Sequence, residues 1–197
     1  MTQTYTSQII LASASPRRKQ LLSKAGYQFS VVPPDIDESA YSTEQIDSEQ
    51  YARQLALAKA KSIAEKHPEN LVISADTIVD FQGEIIGKPA DAKEARQIIQ
   101  KLFSAPHHVI TGLAICKLSD NSELVACDNT TVFPKPITEE QINEYIKSGL
   151  WKGKAGAYDI KENGDEFVEK IEGSLTNVMG LPMELLEQLL GKIFSQQ

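Results

Sequence analysis

Ile9-Ile-Leu-Ala-Ser-Ala-Ser-Pro-Arg-Arg-Lys19 is the stretch whose reading decides the fold. Ile9-Ile-Leu-Ala12 is a short apolar run bounded by small residues, the pattern of a buried strand. Ser15 then stands where an N-cap belongs, Pro16 at the first helical position and Gly26 just past the expected end. The spacing predicts a helix from about Pro16 to Ala25, with Leu21 and Leu22 toward the core. A strand thus runs directly into a helix, and the rest of the chain keeps interspersing the two.

Gln28 to Val32 reads as a second strand, ended by Pro33-Pro34, and is followed by the acidic loop Asp35-Ile-Asp-Glu38. Asp47, with Gln50 in the capping-box place, opens a helix to about Lys66. Tyr51, Leu55, Ala58 and Ser62 follow its period, which puts Lys59 about one residue off the apolar face. Leu71 to Phe81 is a strand, and Gln82-Gly83 a tight turn into Glu84 to Gly87. Asp91 with Glu94 predicts a second capping box, on a helix to about Phe103. Val109 to Leu118 and Glu123 to Phe133 form an antiparallel hairpin, with Cys116 and Cys127 expected near each other across it. Thr138 and Gln141 cap a helix closed by Gly149, Glu166 to Ile171 is a short strand, and Pro182 begins a last amphipathic helix. Hairpins mixed with crossovers predict an α/β fold on a mixed sheet flanked by helices.

Composition narrows the class. The chain has 197 residues, enough for one sizeable core or two lobes sharing a sheet, and its 41% hydrophobic and 24% charged residues suit an ordered globular protein. No repeat, low-complexity tract or linker divides it, so residues 1–197 are read as one domain. A net charge of −7 disfavours a nucleic-acid or membrane-surface binder. It leaves room for a nucleotide enzyme, which needs cations only in one cleft. No apolar run has the length of a membrane span, and Met1 to Gln8 lacks the basic and apolar regions of a signal peptide. Two cysteines are too few for a disulfide framework and too isolated for a zinc site. Together these features predict a cytoplasmic protein with reduced thiols.

Chemistry collects in a few segments. A helix N-terminus at Ser15, flanked by Ser13, Arg17, Arg18 and Lys19, is a concentrated anion site. Cations in a first turn oppose the helix dipole and so invite a functional reason; alone, the segment reads as a capped surface helix with solvated charges. Asp76 interrupts the apolar run Leu71 to Val79, where a carboxylate must meet a cation, a metal or several donors. Thr77 beside it points to the opposite face. Glu38 offers a second carboxylate, and two carboxylate residues plus phosphate oxygens are the usual surroundings of Mg²⁺ or Mn²⁺. Lys59 and Lys88 are further cations, each by itself a surface lysine. Lys154-Ala-Gly-Ala-Tyr158 is a turn where backbone can approach a planar base and Tyr158 can stack on it, or serve as a plain aromatic anchor. His67, His107 and His108 lack metal-ligand spacing and are read as structural or surface residues. The Walker loop and the dinucleotide fingerprint are both absent.

In this order the segments resemble the Maf family of nucleotide pyrophosphatases. The resemblance rests on Leu11-Ala-Ser-Ala-Ser-Pro-Arg-Arg18, Asp37-Glu38, Ala58-Lys-Ala60, Ser74-Ala-Asp-Thr-Ile-Val79, Gly87-Lys-Pro89, Ala155-Gly-Ala-Tyr158 and Val178-Met-Gly-Leu-Pro182. It implies an elongated, twisted mixed sheet around a central cleft, similar to the inosine-triphosphate pyrophosphatase-like fold. It also implies cytoplasmic hydrolysis of a nucleoside triphosphate to the monophosphate and pyrophosphate with a divalent metal, Mg²⁺ or Mn²⁺. Asp76 matches the family's proton acceptor, and Ser13, Arg17, Arg18, Glu38, Lys59 and Lys88 match its phosphate and metal positions, with Glu38 and Asp76 as the metal pair. Ala75-Asp-Thr77 and Gly156-Ala-Tyr158 look like the branch acting on dTTP and UTP, which makes Thr77 and Tyr158 substrate contacts. The chain departs from that branch at Asp159 and at Lys161, which stands in place of a glutamine implicated in base recognition. The alternatives are the same chemistry on another base such as 7-methyl-GTP, or a nucleotide-binding regulator of cell division with little turnover. The implied partner is the nucleoside triphosphate, with no nucleic acid and no membrane; a homodimer has the resemblance as its only support.

Overall fold

Strand β3 (Leu71–Phe81) runs through the middle of the molecule and is buried at every position but Thr77. The structure is a computed structural model and describes residues 8–158 and 167–195. On one side of β3 lie β1 (Ile9–Leu11) and β2 (Phe29–Val31), both parallel to their neighbours. On the other side β5 (His107–Lys117), β6 (Ser122–Pro134) and β7 (Val168–Glu172) follow antiparallel, while β4 (Glu84–Ile86) folds back on the end of β3 along the edge that β1 uses. The strand order is β2-β1-β3-β5-β6-β7, with β4 paired to β3 off this path, making a seven-stranded mixed sheet flanked by helices, as the interspersed pattern predicts. No described helix is long and apolar enough to cross a membrane.

Local signals set most of the boundaries. Helix α1 (Pro16–Lys24) starts with Pro16 at its first position behind Ser15, whose hydroxyl accepts from the Arg18 N–H. Helix α2 (Ser48–Ala64) opens with the full Asp47/Gln50 capping box, and Thr138/Gln141 do the same for α4 (Glu139–Ser148). The box expected at α3 (Ala92–Leu102) is one-sided: Asp91 caps the Glu94 N–H, but the Glu94 carboxylate accepts from Ala90 N–H at 2.7 Å. Gln82 and Gly83 both have positive φ, 55° and 85°, as a two-residue hairpin turn between β3 and β4 requires. A short helix α5 (Leu175–Val178) precedes α6 (Met183–Phe194). The two thiols do not meet: the register sets Cys116 opposite Glu123 and Cys127 opposite Gly112, and both are free.

Two apolar clusters share one face of the sheet. Leu21 and Leu22 of α1 and Leu186, Leu189, Leu190 and Ile193 of α6 pack on Ile73, Ala75, Leu113 and Ile115. Ile99 and Leu102 of α3, Ile142 of α4 and Trp151 pack with Val79, Phe81, Val109 and Val132. Between the two, on the same face by strand alternation, stand Thr77 and its cross-strand partner Thr111. Helix α2 covers the opposite face with a stripe at Ala52, Leu55, Ala56, Lys59, Ala60 and Ile63. Lys59 therefore lies on the buried stripe and not one residue off it. The alanines let this helix come very close to the sheet. A Cβ built on Gly112 would sit 2.1 Å from the Ala52 carbonyl oxygen, so only glycine allows the approach.

Candidate active site

The site occupies a gap in the sheet. β1 pairs with β3 only as far as Ile73, and β4 takes up the same edge again at Val79. Over 74–78, β3 keeps β5 on one side and has no strand on the other among the described residues. Side chains from both faces of β3 can reach one cleft there, which is how Asp76 and Thr77, neighbours pointing to opposite faces, both line it. The cleft measures about 620 Å³.

Asp76 is 7% exposed, and its Oδ1 accepts from Lys59 Nζ at 2.5 Å. Nζ is also 2.7 Å from Glu38 Oε1, so one buried ammonium bridges a strand carboxylate and a loop carboxylate. The close seat of α2 on Gly112, the residue paired with Asp76 across the ladder, brings Lys59 within reach. Burial would raise the pKa of Glu38, but the Lys59 hydrogen bond and charge, with Lys88 and Arg18, outweigh it and hold that carboxyl below its ordinary range.

The helix α1 entrance supplies the next group. Ser13 is 4% exposed, and its Oγ accepts from Ser15 N–H and from Arg18 Nη1, each at 3.2 Å. Arg18 also donates from Nε to the Gly180 carbonyl at 2.7 Å and from Nη2 to Thr77 Oγ1 at 3.0 Å. Desolvation lowers its pKa, offset in part by Asp76 and Glu38, and a guanidinium remains charged all the same. Arg17 and Lys88 line the cleft too. Lys19 does not: it is exposed and faces a separate groove beside β2. Of the acidic loop's carboxylates only Glu38 lines the site, beside Ile36, while exposed Asp37 caps the following turn through the Ser39 N–H.

The far end of the cleft is different in kind. Val79, Val109, Val178 and Met179 line it, together with the 152–155 loop and Tyr158. That loop is fixed at both ends. Trp151 donates from Nε1 to the Ile146 carbonyl, and Tyr158 is 8% exposed with its hydroxyl 2.6 Å from His107 Nε2. Tyr158 packs edge-on against Phe103 and His107, so it forms a wall, anchored from behind. Asp159 and Lys161 lie outside the described residues.

Three residues that shape the site had no role in it assigned from the sequence, although Gly180 falls in the matching stretch Val178 to Pro182 and His107 reads as a structural or surface residue. Gly112 carried a signal, a glycine inside an apolar strand, which marks close backbone approach. Nothing in the residues around them announces that the Gly180 carbonyl holds Arg18 or that His107 holds Tyr158.

No group of three or more metal-ligating side chains occurs among the described residues. The donors at hand still suit a hard cation: two carboxylate residues already converge on one positive charge, and the oxygens of an anionic ligand and water can complete the shell.

Comparison with known proteins agrees with this architecture. A HAM1 protein from Coxiella burnetii shares the fold with a TM-score of 0.50, over 98% of this chain and 100% of that one, at 14% identity. Among relatives, a dTTP/UTP pyrophosphatase of Citrifermentans bemidjiense is 46% identical over 178 residues, covering 90% of this chain and 91% of that protein. One from Geobacillus sp. (strain WCH70) is 44% identical, covering 89% and 92%. The family model described as Maf-like protein matches residues 8–193, spanning every strand and helix around the cleft but the last residue of α6, and the chain belongs to the Maf family.

Proposed function

We propose that the protein hydrolyses nucleoside triphosphates of the dTTP/UTP type to the nucleoside monophosphate and pyrophosphate. The observation that carries this reading is the gap in β3, where Asp76 and Glu38 meet Lys59, Arg18, Arg17 and Lys88 in one cleft. Relatives at 44–46% identity are named dTTP/UTP pyrophosphatases, which supports the same substrate class. Phosphoryl transfer asks a protein mainly for positioning and charge stabilisation, and this cleft offers both.

In this reading the triphosphate lies along the cations, with its base toward Val79, Val109 and Tyr158. Ser13 keeps its hydroxyl proton to donate, because its Oγ accepts the bonds from Ser15 and Arg18. Lys59, Lys88, Arg17 and Arg18 offset the phosphate charge, which is greatest on the departing pyrophosphate. Asp76 takes the proton of a water as its oxygen attacks the α-phosphorus and the bond from that phosphorus to the bridging oxygen breaks. Glu38 and Asp76 would hold a divalent cation, which supplies further charge neutralisation to the phosphates when bound. Since nucleoside triphosphates are the substrate, the protein works in the cytoplasm.

The test is pyrophosphate release from a panel of dTTP, UTP, CTP and purine triphosphates with Mg²⁺ or Mn²⁺. dTTP and UTP should be cleaved best, and Asp76→Asn should lower turnover by at least ~100-fold with the fold intact. A folded Asp76→Asn protein with near-normal turnover would sink the assignment, and a purine preference would overturn the base.

A further inference from the structure

We propose that Thr111 is a positioning residue: acting through Thr77, it aims the Arg18 guanidinium at the substrate. The inference rests on the triphosphate reading above. Thr111 is fully buried and does not line the cleft, so it cannot touch a ligand there itself.

The hydrogen bonds fix a direction. Thr111 Oγ1 donates to the Asn177 carbonyl at 3.1 Å, and a hydroxyl has one proton. The 2.9 Å bond between Thr77 and Thr111 must then be donated by Thr77, which leaves the Thr77 oxygen to accept from Arg18 Nη2 at 3.0 Å. Every proton from Arg18 to the Asn177 carbonyl is committed in one sense. The far end is firmly seated, because buried Asn177 donates from Nδ2 to the Val109 carbonyl and to Thr130 Oγ1, each at 2.9 Å. Arg18 Nε reaches the same segment at the Gly180 carbonyl.

A guanidinium has five N–H groups. Gly180, Thr77 and Ser13 take three of them, one from each nitrogen. The remaining two, one on each Nη of the planar donor fork, are left for the oxygens of a phosphate. Rotation about the last side-chain bonds would move that fork, and the bond to Thr77 opposes such rotation. Without the Thr111 hydroxyl, Thr77 loses its acceptor and is free to turn its own proton toward Arg18, where it repels instead of holding.

Calorimetry with inorganic tripolyphosphate, with activity measured alongside, tests this. Thr111→Val should weaken tripolyphosphate binding about tenfold, the scale of a small misalignment. Thr111→Ser should restore it, and in an Arg18→Gln background Thr111→Val should add nothing. Loss by the same factor in both backgrounds would make Thr111 merely structural and overturn the proposal; so would a folded Thr111→Val protein with wild-type affinity. If the valine variant does not fold, Thr111→Ala is read by the same comparison. Wild-type protein that binds tripolyphosphate yet releases no pyrophosphate from any nucleotide defeats the hydrolase reading alone. Wild-type protein that binds none defeats both.

Discussion

The two ends of the cleft are built on opposite principles. At the phosphate end, charged side chains arrive from α1, the acidic loop, α2, β3 and the segment after β4. At the base end the walls are Val79, Val109, Val178 and Met179, beside a loop that brings Lys152 and Lys154 to the rim and carries residues with positive φ: Gly153, Gly156 and, unusually for a residue with a side chain, Ala157 at 60°. One end is specified by residue chemistry, the other by backbone shape. Charge in a buried setting is concentrated in a few groups, so single substitutions there should cost much. Shape is shared over many contacts, so single substitutions at the base end should cost less and act on selection among nucleotides.

Lys59 puts the first half of that contrast under the greatest strain. Lys59→Met leaves the Asp76 and Glu38 carboxylates facing each other with their shared ammonium gone. Removing one partner of a buried ion pair typically costs about 3 kcal/mol or more, which denaturant titration reads directly. A cation that takes the place of the ammonium should recover part of this. Mg²⁺ or Mn²⁺ should therefore raise the melting temperature of the variant more than that of the wild type. Unchanged stability on Lys59→Met would mean that the phosphate end is not held by charge balance.

How much of this was legible in the sequence follows the same divide. Caps and turns spoke plainly: Ser15-Pro16, Asp47 with Gln50, and Gln82-Gly83 each mark a real boundary through local hydrogen bonding or φ preference. Asp76 stood out because a carboxylate in an apolar run needs a partner. Yet Asp80, on the same strand and 9% exposed, is structural: it accepts from the Ser48 hydroxyl and from Gly83 N–H. Only the unpaired stretch of β3 separates the two, and an edge gap is a property of the sheet, invisible in one strand's residues. Lys59 was misplaced for a related reason. An alanine-rich helix has a weak apolar stripe, so its buried face is decided by where Gly112 lets it land. The His107–Tyr158 bond joins residues 51 apart in sequence, and neither residue's own neighbourhood announces it.

That bond gives the base end its own test, one that pH can read. His107 Nδ1 lies 3.1 Å from the Leu102 carbonyl, which can only accept, so Nδ1 carries the proton and Tyr158 donates to Nε2. Burial pushes the His107 pKa down to about 4, against an ordinary 6.5. Between those values the unfolded chain binds a proton that the folded one refuses, so stability falls as pH drops from 6.5 toward 4 and His107 adds no further loss below it. The expected loss from this residue is about 2 kcal/mol by pH 5. Glu38, whose pKa is lowered on folding, contributes stability that is lost only as pH falls from its ordinary 4.5 downward, so its window is nearly separate. Urea midpoints at pH 7 and pH 5 should converge in His107→Gln relative to wild type. An equal pH 7 to pH 5 difference in both proteins would show that the wall behind Tyr158 does not depend on a neutral imidazole.

The smallest expected effect sharpens the contrast most, because it asks whether the two ends are separable at all. Gly156 has φ +72°, and a Cβ there would meet Val79 Cγ2 at 2.9 Å and Leu102 Cδ1 at 3.0 Å. Gly156→Ala should cost about 1 to 2 kcal/mol in stability, from a strained φ and an overfilled contact. Its functional mark should be a raised KM and a changed ratio between dTTP and CTP, with turnover at saturation kept within a factor of about three. The reason to expect this split is that the added methyl presses on Val79 and α3, in the wall of the base end, while Asp76, Lys59 and Glu38 stand across the cleft on the α2 side. One thread could still join the ends. Gly156 N–H donates to the Gly87 carbonyl at 3.1 Å, and Lys88 is the next residue. If Gly156→Ala lowered turnover as steeply as Asp76→Asn, that thread would be the carrier: the loop that fits the base would also set the lysine that meets the phosphate, and shape and charge would be one device.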